Sequence, residues 1–407
     1  MQQLSERYVP ASMPQKHLSS ELQLLTACAR SVVDEHARTA MSYALQQEPN
    51  WSVVHTLAVQ HKVVPLLARS LQQIDASLVP ESVVIALRDS AAASAQRTLF
   101  LTGELLRVLE LLEAACIPAV TLKGPGLAAV AYGNIGLRQF DDLDVLVRRR
   151  DLLLAKQKLA AHGYCSLLSL TQRQEAAYVR SQYVYPLIHH EQGVVVELHQ
   201  DVRPRYFAFR PERDALWNGL SSMHLGGKEI RAFSLEELLI ILCVHGTNHC
   251  WERLAWICDI AELLRAQPAI NWQGLLLRAR ELGAERMVLL GLALAHNVLD
   301  TSLPKPIDEC IAADPSVSDL ATQVIIWLDR PVDQPLTNAM RVRFHLRARE
   351  QLRHRVLYCL QLVVSPTEED WTLRPLPAAV ASCYALLRPL WLLWRYGQRP
   401  LKGLLGR

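Results

Sequence analysis

No glycine occurs between Met1 and Thr102, and over much of that stretch apolar residues recur every three or four positions, as in Leu22, Leu25, Cys28 and Val32. That spacing is the signature of amphipathic helices. A chain without glycine also lacks the residue that the tightest strand-to-strand turns favour. Residues 1–16 are polar and read as loose, whereas Ser19 to Phe100 predict packed helices, punctuated at Pro65 and Pro80. The pattern runs on through Leu105, Val108, Leu109 and Leu112 to Cys116, where the character of the chain changes.

Ile117 to Leu122 is short, apolar and β-branched, which predicts a buried strand. It ends in Lys123-Gly124-Pro125-Gly126, a sharp turn whose proline suits the first turn of a helix reaching Tyr132. Leu143 to Val147 predicts the next strand, followed by a helix capped at Asp151 and closed at Gly163. Tyr183–His190 and Val194–Leu198, joined by Glu191-Gln192-Gly193, predict a hairpin, and Gly226-Gly227 predicts a second. Ser234 with Glu237 forms a helix-start signal, and helical patterning continues from there to the end. With 407 residues, half of them hydrophobic, the chain exceeds one ordinary core. The expected organisation is an N-terminal helical region (1–99), an α/β core with a mixed sheet (100–233) and a C-terminal helical region (234–407).

Asp142-Leu143-Asp144 is the feature that carries chemistry. Side chains alternate along a strand, so both aspartates project from one face while Leu143 and Val145 enter the core. Two carboxylates roughly 7 Å apart repel each other, and Mg²⁺ relieves that repulsion by taking oxygen ligands from carboxylates, phosphates and water. Taken alone, D-x-D is short and also fits a solvated strand end. Glu197 interrupts the apolar run Val194–Val196, and His199 shares its strand face, either touching a ligand or satisfying a carboxylate. The Lys123-Gly124 turn at a helix start suits an anion, although it lacks the Walker spacing. Arg138 has two open roles, phosphate binding or pairing with an acid. Asp141 points away from Asp142 and reads as structural.

The order of these pieces resembles the nucleotidyltransferase superfamily that includes DNA polymerase β. The closer resemblance is to a family of uncharacterised bacterial nucleotidyltransferases. It rests on Leu122-Lys123-Gly124, Tyr132, Arg138, Asp142 to Val147, Glu197-Leu198-His199, then His245, His249, Leu254, Trp256 and Asp259, and it extends to Ser365-Pro366-Thr367, Asp370 and Arg388-Pro389. Pro125 departs from the superfamily, where a small hydroxyl residue follows the first glycine. The resemblance implies a Mg²⁺-dependent enzyme, with two ions, that moves a nucleoside monophosphate from an NTP, ATP by preference, to an acceptor hydroxyl or phosphate. Asp142, Asp144 and Glu197 are then the catalytic and metal-binding residues, and Lys123, Gly124, Arg138, His199, His245 and His249 the nucleotide-binding ones. The acceptor is a small molecule, a peptide or a glycan precursor. The rival readings are a non-catalytic scaffold on the same fold and a phosphoryl-transfer enzyme.

Charge and cysteines narrow the setting. The formal net charge is +3, from 43 basic and 40 acidic residues, which gives no nucleic-acid surface. Nine cysteines without framework spacing, and no apolar leader in Met1–Pro10, point to a reducing cytoplasm. His245 and His249 stand at i and i+4, a workable metal spacing, but no C-x-x-C pair supports structural zinc. The tail 383–407, basic and rich in leucine and tryptophan, is read either as a helix on an anionic membrane, giving peripheral contact, or as a helix packed on the C-terminal region. Packing is the reading preferred.

Overall fold

The structure, a computed structural model, describes residues 18–74, 78–203, 207, 213–267, 269–331, 333–367, 370–371, 383 and 386–389. The described part of the glycine-free region is helical, as its periodicity predicts: α1 (Ser20–Cys28), α2 (Glu35–Leu45), α3 (Trp51–Gln60), α4 (Val64–Leu71) and α5 (Glu81–Ala114). Side-chain oxygens of Ser19, Asp34 and Asn50 cap the first three, satisfying backbone N–H groups that a helix start leaves open. Pro65 lies in the first turn of α4. The 34-residue α5 runs straight through the expected boundary at 99/100. Leu87 near its start joins the core of the flanking helices, whereas Leu101, Leu105, Val108 and Leu112 join the core of the sheet.

The α/β segment comprises β1 (Ala119–Thr121), α6 (Gly124–Tyr132), β2 (Asp142–Val147), α7 (Leu152–Ala160), β3 (Tyr164–Ser166), α8 (Gln172–Ser181), β4 (Val184–His189), β5 (Val194–His199), α9 (Arg213–Asn218), β6 (Leu220–Leu225) and β7 (Lys228–Phe233). Five strands form a mixed sheet in the order β1-β2-β5-β4-β3. β2 and β5 pair in parallel, and every other pairing in this sheet is antiparallel. β6 and β7 form the second hairpin, turning at Gly226-Gly227 and lying beside β1. Three elements of this segment escaped the sequence analysis, β3, α8 and the six-residue α9. β3 is only three residues long, and α8 carries charge and glutamine where an apolar stripe would announce it. Its one local signal was the reciprocal cap between Thr171 and Gln174. Gly163, just before β3, has φ +89°, and a Cβ there would come within 2.8 Å of the His189 ring. Only glycine fits that corner.

The C-terminal region is helical: α10 (Leu235–Asn248), α11 (Leu254–Ala266), α12 (Trp272–Glu281), α13 (Glu285–Leu299), α14 (Lys305–Ala313), α15 (Pro315–Leu328), α16 (Asn338–Arg347) and α17 (Leu352–Val364). Ser234 accepts from the Glu237 N–H at the start of α10, as its sequence signal requires. The two helical regions share one apolar core, in which Leu22, Leu24 and Leu25 are buried in the same cluster as Leu290, Leu292 and Leu294. His61 pins them further. Its Nδ1 accepts from the Leu254 N–H (3.2 Å) and its Nε2 donates to the Leu328 carbonyl (3.0 Å). The second core fills the other face of the sheet, from Leu143, Val145 and Val196 to Leu159 of α7 and Tyr178 of α8. Among the described residues no helix is long and apolar enough to cross a membrane. The tail expectation for 383–407 lies outside the described residues except at Cys383 and 386–389. There Arg388 is buried, donating to Asp370 Oδ2 (2.8 Å) and to the Leu362 carbonyl.

Candidate active site

Strand alternation divides the sheet as the sequence predicts. Leu143, Val145, Val196 and Leu198 enter the core, leaving Asp142, Asp144, Glu197 and His199 on the opposite face. The parallel register places Asp144 directly beside Glu197. Carboxylates from distant parts of the chain thus become neighbours. His199 Nε2 lies 2.9 Å from Asp144 Oδ1 and 3.3 Å from Glu197 Oε2. Donor atoms of Asp144, Glu197 and His199 fall within 4.8 Å of one another. The Asp142 carboxylate lines the same cleft and has no side-chain hydrogen bond or ion pair among the described residues.

The turn after β1 delivers a cation to this cluster. Lys123 Nζ lies 3.1 Å from Asp144 Oδ2 and 3.5 Å from His245 Nδ1. Two bonds hold the turn in place: the Leu122 N–H donates to the Asp144 carbonyl (3.1 Å), and Thr121 Oγ1 donates to the Lys123 carbonyl (3.0 Å). Gly124 opens α6 with φ +60°, and a Cβ there would meet nothing within 4 Å. Glycine is required there for its backbone conformation, not for space.

Burial acts on all these groups, and their partners decide the outcome. Burial alone would push the Asp144 carboxyl up, but Lys123 and His199 hold it well below the usual carboxylate range. Asp142 has no such partners, so burial and then the charges of Asp144 and Glu197 push it up. Burial would strip the proton from His199, yet its bonds to Asp144 and Glu197 raise it to about 9. At neutral pH His199 is therefore an imidazolium neutralising the acids.

Arg138, which lines the cleft, also forms an ion pair. It donates from Nε to Asp259 Oδ1 (2.7 Å) and from Nη2 to Oδ2 (2.9 Å), and Tyr132 OH donates to the same Oδ1 (2.8 Å). Tyr132, Arg138 and Asp259 thus form a buried knot joining α6, the approach to β2 and α11. Asp141 points away from the cluster and pairs with Lys62. His245 and His249 face the cleft with ring centroids 4.6 Å apart, and the His249 ring lies 5.1 Å from that of Trp256. Burial, helped by Lys123 and Arg203, keeps both rings neutral, with His249 lowered to about 3. The cleft measures about 1090 Å³. Its remaining walls include residues that the sequence analysis missed, among them Lys62, Arg203, Arg253, Arg330 and Arg341. No spacing connects these, because four different parts of the chain supply them.

Residues 47–300, more than half of the chain, match the model of the uncharacterised nucleotidyltransferase family. This protein belongs to that family. It is accordingly a transferase enzyme, and the matched span contains the whole cluster just described. No curated protein and no solved structure matches the chain.

A nucleotidyltransferase needs groups for a divalent metal, and the donor chemistry here fits one. Asp142, Asp144 and Glu197 offer the hard oxygen ligands that Mg²⁺ prefers. Protonated His199 offers no lone pair at Nε2, so in the metal-free state it acts as a counter-cation; deprotonated, it completes the three-residue group. Its Nδ1 is buried without a hydrogen-bond partner. In this nucleotidyltransferase two protein cations, Lys123 and His199, balance Asp144, the most buried acid of the cluster.

Proposed function

We propose that this enzyme moves a nucleoside monophosphate, AMP from ATP, to an acceptor hydroxyl or phosphate, with Mg²⁺ held by Asp142, Asp144 and Glu197. The observation that carries this reading is the pairing of Asp144 with Glu197 across parallel strands, beneath the Lys123-Gly124 turn. On this reading the sheet is that of a DNA polymerase β-like nucleotidyltransferase. When bound, a pair of divalent ions supplies neutralisation of the triphosphate and a more acidic acceptor hydroxyl. Asp142 and Asp144 hold their carboxylates toward the donor phosphates. Glu197 accepts the acceptor's proton at a carboxylate oxygen. The acceptor oxygen then bonds to the α-phosphorus as the bond to the bridging oxygen breaks and pyrophosphate leaves. Lys123 pairs its ammonium with the departing phosphates, and His199 orients Asp144 and Glu197. His245 and His249, kept neutral, line the nucleotide's path without adding charge.

The test is incubation with each of the four nucleotides, Mg²⁺ and a cell extract, followed by mass spectrometry of products. Pyrophosphate with an AMP-bearing product is expected. Release of ADP would replace the reading by phosphoryl transfer, and failure to bind any Mg–nucleotide would leave a scaffold.

A further inference from the structure

We infer that Lys123 is a stand-in cation: without nucleotide its ammonium neutralises Asp144 in place of a divalent ion, and nucleotide phosphates draw it away, so that metal and nucleotide bind together. The inference deepens the nucleotidyl-transfer reading above and rests on it. It starts from the two carboxylate oxygens of Asp144, each of which already has a protein partner. His199 Nε2 stands 2.9 Å from Oδ1, and Lys123 Nζ stands 3.1 Å from Oδ2. The Asp144 side chain is only 4% exposed, and a carboxylate buried without a partner is costly. Lys123 therefore stabilises the acid when no metal is bound. By the same contact it competes with any ion that takes an oxygen from Asp144.

Of the two partners, Lys123 is the one built to yield. The His199 ring is held on β5, touches Glu197 as well (3.3 Å) and packs 5.6 Å from the Tyr183 ring. The ammonium of Lys123 sits at the end of a flexible four-carbon stem with three rotatable donors. Its other contact, His245 Nδ1 at 3.5 Å, is long for a hydrogen bond. The backbone beneath is pinned by the Leu122 N–H on the Asp144 carbonyl and by Thr121 Oγ1 on the Lys123 carbonyl, so the side chain can move while the turn stays. An ammonium and a divalent ion sharing one carboxylate repel each other, strongly so away from bulk water. Phosphates relieve that repulsion by giving the ammonium an anion of its own, beside the start of the nine-residue α6 that opens on the cleft at Gly124. Metal alone thus has to break the Lys123–Asp144 pair, whereas metal carried on a nucleotide brings the replacement partner with it.

The experiment measures two affinities on the full chain. Mn²⁺ alone is titrated into nucleotide-free protein, with the free ion counted by electron paramagnetic resonance. The Mg²⁺ complex of a non-hydrolysable ATP analogue is titrated by calorimetry. Lys123→Met keeps the stem and removes the charge. It should bind Mn²⁺ alone roughly ten- to hundredfold more tightly than the wild type, since the ion no longer breaks a charge-assisted contact, and should bind Mg–nucleotide less tightly by a similar factor. Lys123→Gln still offers Asp144 a donor, so it tests the same two shifts in a site that keeps its hydrogen bond should Lys123→Met misfold. The opposite signs are the signature, because a lysine that only supports the fold would lower both affinities when replaced. Mn²⁺ affinity unchanged or lowered in the variants would overturn the inference and leave the transfer reading standing, provided that the wild type binds Mg–nucleotide. Tighter Mn²⁺ binding with unchanged Mg–nucleotide binding would also overturn it, because Lys123 would then never reach the phosphates. A wild-type protein that binds no Mg–nucleotide would remove both the inference and the transfer reading.

Discussion

Asp142 and Asp144 stand two positions apart on one strand, yet their surroundings push their carboxyl groups in opposite directions. The difference comes from Lys123 and His199, which both touch Asp144. Asp144→Asn removes the charge that both cations share, and that the proposed metal would share, while preserving shape. Turnover should fall by roughly a hundredfold or more, at or beyond the upper end of losses seen for groups that merely support a metal ligand. Far-ultraviolet circular dichroism should remain native, and wild-type turnover at saturating Mg²⁺ would exclude the role. Lys123→Ala should weaken Mg–nucleotide binding about ten- to hundredfold by calorimetric titration. Lys123→Arg should restore only part, since a planar fork replaces a compact ammonium in a confined place. A Lys123→Ala protein that is less stable but binds nucleotide normally would reduce Lys123 to a structural partner of Asp144.

The decisive element is the β1–turn–α6 unit with its neighbour β2. β1 is short, but the Leu122 N–H extends its bonding to the Asp144 carbonyl, so the turn and the D-x-D strand move as one piece. Gly124 adopts a left-handed conformation in open space. Gly124→Ala should therefore cost only about 1–2 kcal/mol, the backbone penalty without a clash, read from the denaturant midpoint. A much larger loss would mean that the turn contacts something beyond its own backbone.

Across the whole molecule, single polar knots tie the sheet to the helices and the two helical regions to each other. Asp259→Ala leaves Arg138 charged, buried and without its bidentate partner. The expected loss is about 3–5 kcal/mol of stability, measured by chemical denaturation. His61 provides a pH signature. Burial lowers it from the ordinary 6.5 to about 4, against the bond to the Leu328 carbonyl. The unfolded chain therefore binds the extra proton between those values. The stability contributed by neutral His61 is complete above about pH 6.5 and is lost as pH falls toward 4, on the order of 3 kcal/mol. Denaturation midpoints measured across that window should drop in the wild type and drop less in His61→Gln. Equal slopes in the two proteins would contradict the assignment.

Local pattern was enough for the helices described between Ser20 and Ala114, the strand–turn–helix at Lys123-Gly124, both hairpins, and the common face of Asp142 and Asp144. All of these follow from periodicity or from backbone conformations that few residues can adopt. The same alternation set Glu197 and His199 on one face of β5. Their meeting with Asp144 needed the parallel register of β2 and β5, which no local signal encodes, because it is fixed by packing the apolar faces of both strands on one core. The ion pair of Arg138 was likewise tertiary, since Asp259 approaches it from a helix more than a hundred residues away. The arginines around His249 come from separated stretches and carry no shared spacing. What the sequence by itself determined was which side chains each element presents. Which of them face one another, and therefore which charges are neutralised, was decided by burial and long-range packing.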